Sequence, residues 1–291
     1  ADDMGVPAVA EVIEKTRLKF ERIKPKVGAR ILNSKEEILS GDLSGEIRDL
    51  LEEVGVLVFP KIDFTDEEQV KFTNSVGGNA EEVRGEQVFK ISLDKSVNKE
   101  AVEYLKGSLF WHVDGTMNRI PIRGSVLSSK VLPTWGGNTE FANCYTAYED
   151  LPQETKDKID DLRVVHSMWN SQLYHCPEPT LAQLEDWMNK GEDGTGEREL
   201  PLVYKHASGR KSLILGNTAE RVVGMSSQES AKLLHGLREH ATSEPYHYAH
   251  EWNLGDAVMW DNTGTLHRAM AYDPDCGRLL HRTIIKGESW G

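Results

Sequence analysis

The sequence predicts an α+β protein, with flanking helices around a β-sandwich or barrel core. Three observations carry that expectation. Residues 44–77 run helix, strand, helix in quick order. From about residue 109 the chain breaks into short apolar or alternating runs punctuated by Pro, Gly and Asp, a pattern suited to a β core. Helical patterns at 146–162 and 226–243 interrupt those runs without replacing them.

Taken in order, residues 8–24 are amphipathic and charged and are predicted helical. SGEIRDLLEEV (44–54) is predicted to be a second helix, with Ser44 as N-cap and Gly55 as its stop. VLVFP (56–60) is a short apolar run ended by Pro60, hence a buried strand. Thr65 followed by Glu68 forms a capping-box pattern and opens a helix that ends at Gly77-Gly78. SVLSSKVL (125–132), RVVHSMW (163–169), KSLILG (211–216), DAVMWDN (256–262) and RLLHRTIIKG (278–287) are predicted strands. Residues 170–200 are polar and rich in turn formers, with weak helical character only at 180–189. They read as a long, lid-like excursion between strands. The 291 residues form one expected domain, in which 1–108 support a core at 109–287.

Composition narrows the function. Asp and Glu number 47 against 34 Lys and Arg, for a net charge of −13. Nucleic-acid binding relies on clustered basic residues, so nucleic acid is excluded as an expected partner, as is an anionic membrane surface. An anionic small molecule would need a local basic site. No run approaches the ~20 apolar residues of a membrane span. The first residues, ADDMGVPAVAEVIEK, lack the basic and apolar regions of a secretory signal. Cys144, Cys176 and Cys276 are too few and too scattered for a disulfide framework, which suits a reducing cytoplasm.

All ten histidines lie at or after His112, so imidazole chemistry belongs to the last two-thirds of the chain. In WHVDGT (111–116), an extended backbone would project His112 and Asp114 to the same face, as two ligands of one metal require. WDNTGTLHRA (260–269) offers His267 as a third ligand. Two imidazoles and one carboxylate form the facial triad that holds Fe(II) and leaves room for a bidentate co-substrate and dioxygen. The same ligands also suit zinc, and an isolated His-x-Asp also occurs at turns and strand edges without any chemistry. The other histidine-rich stretch, His235, His240, His247 and His250, has spacings that fit neither one helical face nor a metal motif. His166, His175, His206 and His281 read as ordinary surface or core histidines.

The sequence resembles the Fe(II)/2-oxoglutarate-dependent dioxygenases related to taurine dioxygenase and chlorophenoxyacetate dioxygenase. The resemblance is carried, in the family's order, by GVLVFPKIDFTDEEQVKF (55–72), WHVDGT, VLPTWGGNTEFANCYTAYEDLP (131–152), HASGRKSLILG (206–216), VVGMSSQES (222–230) and the long block from His250 to Thr283. It implies a double-stranded β-helix, or jelly roll, with helices packed around it. It implies His112, Asp114 and His267 as iron ligands and Thr139 as a contact to the 2-oxoglutarate carboxylate. It implies Arg278 as the clamp on the distal carboxylate and Arg282 as the contact to a substrate carboxylate or sulfonate.

On a strand, residues 278, 280 and 282 share a face, with the two arginines ~13 Å apart at ~3.3 Å per residue. One guanidinium can then face the co-substrate and the other the substrate. The resemblance further implies hydroxylation of a small anionic substrate, with C–O or C–S cleavage where the hydroxylated product collapses. It also implies a homo-oligomer, dimer or tetramer. Two other readings of the same residues are a zinc hydrolase, which gives Arg278 no task, and a ligand-binding jelly roll that has lost its metal, although all three ligands are intact. The chain departs from the family in carrying Thr263-Gly264 after WDN, where an arginine is usual, and in segments 78–110 and 170–200.

Overall fold

The computed structural model describes residues 5, 16–77, 87–93 and 106–290. Among the described residues, fifteen strands enter in chain order. β1 (Phe20–Lys24), β2 (Val27–Ile31), β3 (Val56–Phe59), β4 (Phe89–Ile91), β5 (Ile122–Val131), β13 (Ala257–Asp261) and β15 (Leu279–Lys286) form a seven-stranded sheet in the order β1-β2-β3-β13-β5-β15-β4. Its described pairs are antiparallel except for β2 with β3. β6 (Thr139–Asn143) lies between β12 (His247–His250) and β14 (Thr265–Ala269) in a second, three-stranded sheet. β7 (Arg163–Ser167), β8 (Glu197–Pro201) and β11 (Ala219–Val222) form a third, and β9 (Val203–Lys205) pairs with β10 (Lys211–Leu213).

The large sheet is covered on both faces, and strand alternation decides which residue goes where. Leu57 and Phe59 of β3 and Met259 of β13 join a cluster with helices α1 (Lys35–Leu39), α2 (Ser44–Val54) and α3 (Asp66–Gly77). Val56, Val58, Val258 and Trp260 point the other way, toward Phe141 of β6. The Phe141 and Trp260 rings meet at 5.6 Å between centroids, so the two sheets pack face to face. With both faces covered, all four residues of β3 are buried, and its sequence is continuously apolar rather than alternating. α3 brings the buried polar residue Gln69 to the large sheet. Gln69 Nε2 donates to the carbonyls of Val126 and His281, and its Oε1 accepts from Ser128, so burial leaves no unpaired amide.

A further apolar cluster joins Ala142 and Leu266 of the small sheet to α4 (Cys144–Glu149) and α8 (Ser227–Ala241). Among the described residues, no helix is long and apolar enough to cross a membrane.

The structure corrects several sequence expectations. Residues 8–15 of the first expected helix lie outside the described residues, and Phe20–Lys24 is a strand. Pro25 and Lys26 turn the chain so that Lys24 pairs with Val27, and β-pairing overrides the helical periodicity. Leu43 rather than Ser44 caps α2, and the Ser44 hydroxyl instead donates to the Gly41 carbonyl at 2.7 Å. The Thr65–Glu68 box closes as expected, at 3.1 and 2.9 Å. The helix expected at 146–162 is two, α4 and α5 (Gln153–Ile159), divided at Pro152, which has no N–H to continue the ladder. The excursion at 170–200 carries α6 (Met168–Leu173) at its start, α7 (Leu181–Met188) capped by Thr180, and the beginning of β8.

Candidate active site

His112 and His267 face each other across an isolated antiparallel bridge. The His112 N–H donates to the His267 carbonyl at 3.0 Å, and the reverse bond is 3.1 Å. This pairing brings the two rings within 4.1 Å of each other, centroid to centroid. Residues 114–117 then turn, and Asp114 opens that turn beside both rings. Its Oδ1 lies 3.2 Å from His112 Nε2 and its Oδ2 lies 3.1 Å from His267 Nε2. Asn262 holds that turn: its side chain accepts from the Asp114 N–H at 3.0 Å and donates to the carbonyls of Asp114 and Ile122 at 2.9 and 2.8 Å.

The donor set suits a divalent metal. The three ligand atoms all lie within 4.8 Å of one another, and no other described group of three or more His, Cys, Asp or Glu does so. His112 Nδ1 is engaged with the Phe110 carbonyl at 2.8 Å, which leaves Nε2 for the metal. Burial, assisted by the neighbouring His112, lowers the His267 pKa to about 4 and keeps its imidazole neutral. Burial pushes the Asp114 carboxyl up, but the Arg282 guanidinium and the two imidazoles outweigh it, and the pKa sits well below the usual carboxylate value. Neutral imidazoles and an ionised carboxylate are the states that bind metal. His267 Nδ1 is buried without a hydrogen-bond partner among the described residues.

The triad opens into a cavity of about 1050 Å³ that is also lined by Thr139, Arg278 and Arg282, so all six sequence-predicted site residues converge on one space. Thr139 is the first residue of β6 and is buried. Arg278 precedes β15 by one residue, and a register shift between Leu279 and Leu280 still leaves Arg278, Leu280 and Arg282 on the cavity side.

Arg278 is 3 % exposed and has no carboxylate partner among the described residues. It donates to the Gly137 carbonyl at 2.9 Å and lies 4.4 Å over the Tyr272 ring. Burial lowers its pKa, the expected cost of a cation without a counter-ion. Glycine suits this contact: at Gly137, with φ +86°, a Cβ would sit 2.8 Å from Pro133 Cγ and 3.2 Å from Arg278 Nε. Arg282 donates to Asp114 Oδ2 and to Ser125 Oγ, and its guanidinium lies over Phe89 and Trp260.

Three histidines of the 235–250 stretch have separate structural partners: His247 bonds Glu140, His250 bonds Asp256 and His240 bonds the Ala147 carbonyl, while His235 is exposed. Sequence reasoning missed Asn262, Trp252 and Ser125. Asn262 had a local signal, an amide directly after the apolar run VMW-Asp; the roles of Trp252 and Ser125 depend on partners far along the chain.

A family model described as taurine catabolism dioxygenase TauD, TfdA family, matches residues 19–284. The chain belongs to the TauD/TfdA family. Several relatives match over most of the length. The (S)-phenoxypropionate/alpha-ketoglutarate-dioxygenase of Sphingobium herbicidovorans is 33% identical over 243 residues, covering 81% of this chain and 83% of that one. The alpha-ketoglutarate-dependent 2,4-dichlorophenoxyacetate dioxygenase of Cupriavidus pinatubonensis is 33% identical over 254 residues, covering 81% and 86%. Among solved structures, AAD-2 in complex with Mn(II) and N-oxalylglycine superposes with a TM-score of 0.78 at 31% identity, covering 94% of this chain and 99% of that one. Membership of the TauD/TfdA family makes this chain an oxidoreductase that uses Fe(II), 2-oxoglutarate and dioxygen.

Proposed function

We propose that this chain hydroxylates a small anionic organic substrate, a carboxylate or sulfonate, at the expense of 2-oxoglutarate. His112, Asp114 and His267 hold the metal, Thr139 and Arg278 hold 2-oxoglutarate, and Arg282 holds the substrate anion. The observation that carries this reading is Arg278, a buried guanidinium with no carboxylate partner among the described residues, in the same cavity as the triad. A hydrolytic zinc site gives that charge no task, whereas a dicarboxylate co-substrate supplies its missing counter-ion. When bound, Fe(II) supplies dioxygen activation coupled to decarboxylation of 2-oxoglutarate to succinate and carbon dioxide.

The chain's own residues bind, orient and exclude water. The fork of Arg278 sets the angle of a carboxylate as well as its charge. Ile122, Leu127 and Ile284 give the cavity apolar walls, which favour an organic body behind the anionic end. The relatives named for phenoxypropionate and dichlorophenoxyacetate make an aryloxy carboxylate the first substrate to try. The facing sheets support a jelly-roll reading of the core, and residues 1–108 support it by packing α1–α3 on the large sheet and by adding β1–β4 to it.

The test is a 2-oxoglutarate turnover screen against aryloxy acids, sulfonates, sulfate esters and simple carboxylates. Succinate release that depends on one of these anions and on Fe(II) is the expected result. Metal-dependent hydrolysis without consumption of 2-oxoglutarate would replace this reading with the zinc enzyme.

A further inference from the structure

Trp252 follows β12 and belongs to the segment HEWNLGD (250–256). His250 is the cross-strand partner of Thr139, so the chain leaves β12 directly beside the site. It then turns back, and the Trp252 indole Nε1 donates to Thr139 Oγ1 at 2.9 Å.

The turn that places the indole is itself pinned. Asp256 accepts from the Asn253 N–H at 2.9 Å and the Lys61 N–H at 2.8 Å, and its Oδ2 lies 3.1 Å from His250 Nε2. His250 Nδ1 is 2.7 Å from the Tyr248 hydroxyl, and its ring packs edge-on against Trp252 at 4.7 Å. Tyr248 and Trp252 also pack against the Phe141–Trp260 cluster. Both His250 and Asp256 are buried, so the indole is held from several sides.

We propose that Trp252 is a positioning residue that sets the direction of the Thr139 hydroxyl for 2-oxoglutarate. An indole N–H can only donate, and a threonine hydroxyl has one proton and two lone pairs. The bond from Trp252 therefore occupies a lone pair and leaves the proton for another acceptor. Thr139 Oγ1 makes no other hydrogen bond among the described residues, and Thr139 lines the cavity. The hydroxyl is thus held as a donor toward the space a carboxylate takes. Without the indole N–H, the hydroxyl rotates among several orientations and binding must select one. This inference rests on the proposed use of Thr139 and extends it to a residue that does not line the cavity.

The experiment is anaerobic binding of 2-oxoglutarate to the Fe(II)-loaded protein, by calorimetry and by the visible charge-transfer band, in a double-mutant cycle. Trp252→Phe keeps an aromatic ring and deletes the N–H; its dissociation constant rises about threefold, the cost of selecting one of roughly three hydroxyl rotamers. Thr139→Val weakens binding at least as much, and adding Trp252→Phe to it brings no further loss. Two results would overturn the proposal: Trp252→Phe binding within twofold of wild type, or the same loss with and without Thr139.

Should Trp252→Phe fail to fold, Thr139→Ser and Thr139→Val carry the test. Ser keeps the acceptor, so affinity and the Trp252 indole proton signal stay near wild type while Val changes both; equal behaviour of Ser and Val overturns the proposal. Wild-type protein that binds no 2-oxoglutarate sinks the proposed function itself, a different outcome from intact wild-type binding with an innocent Trp252.

Discussion

Arg282 Nη2 donates to Asp114 Oδ2 at 2.8 Å, joining the expected substrate anchor to the carboxylate of the metal triad. Ser125 Oγ lies 3.0 Å from the same nitrogen, and the Nε is buried without a partner among the described residues. The guanidinium therefore retains hydrogen-bonding capacity for an incoming anion. Arg282→Ala raises the KM for an anionic substrate by about tenfold or more, the scale of a lost charge-assisted bond. Binding of 2-oxoglutarate changes far less, because Arg278 is untouched. Steady-state kinetics with saturating 2-oxoglutarate read this out, and an unchanged KM removes Arg282 from the substrate site.

Arg278 gives a prediction with two signs. In the ligand-free protein it is a buried charge without a carboxylate partner among the described residues, so Arg278→Met leaves thermal stability equal or higher. The same substitution abolishes the stabilisation that 2-oxoglutarate gives to the wild-type protein, worth about 2.7 kcal/mol at a hundredfold excess over Kd. Thermal melts with and without ligand check both halves. A strongly destabilised variant would mean that Arg278 holds the fold rather than a ligand.

Asn262 holds Asp114 by its backbone on both sides, through bonds of 3.0 and 2.9 Å. Asn262→Ala frees that turn and leaves the Asp114 and Ile122 carbonyls short of a donor. Metal affinity falls about 10- to 100-fold, the range seen when groups that orient metal ligands are removed. Titration with Mn(II), followed by calorimetry, measures it. Affinity equal to wild type would show that the turn keeps its shape without the amide.

Much of this was legible in the chain itself, for identifiable reasons. The His-x-Asp spacing and the later His267 indicated three residues that the fold does bring together. The unbroken apolar runs VLVF and AVMW matched the two covered faces of the large sheet. Asn262 and Trp252 could not be read the same way, because their partners Asp114 and Thr139 lie 148 and 113 residues away. Phe20–Lys24 became a strand for a similar reason: its partner β2 decided against its own periodicity.

Asp261 makes a contribution of its own to the pH dependence of stability. It is buried, with Tyr145 OH donating to its Oδ2 at 2.6 Å and Thr263 Oγ1 donating to its Oδ1 at 3.2 Å. Burial raises its pKa from 3.8 to about 6, and the hydrogen bond from Tyr145 and the more distant Arg123 offset this only in part. The folded protein thus keeps a proton between about pH 4 and 6 that the unfolded chain releases. The stability this group contributes is full below about pH 4 and is lost as pH rises through 6. Asp261→Asn removes that loss, so its stability relative to wild type increases from pH 4 to pH 8 by at most about 3 kcal/mol. Denaturant melts at the two pH values measure the difference, and parallel behaviour of the two proteins would contradict the raised pKa.

The central claim is that one cavity holds a metal on His112, Asp114 and His267 together with 2-oxoglutarate on Arg278 and Thr139. Anaerobic titration of the Fe(II)-loaded protein with 2-oxoglutarate tests it most directly. The account predicts a weak visible metal-to-ligand charge-transfer band that saturates with 2-oxoglutarate and is absent from both Asp114→Ala and Arg278→Met. No band in the wild-type protein, or the same band in both variants, would contradict it.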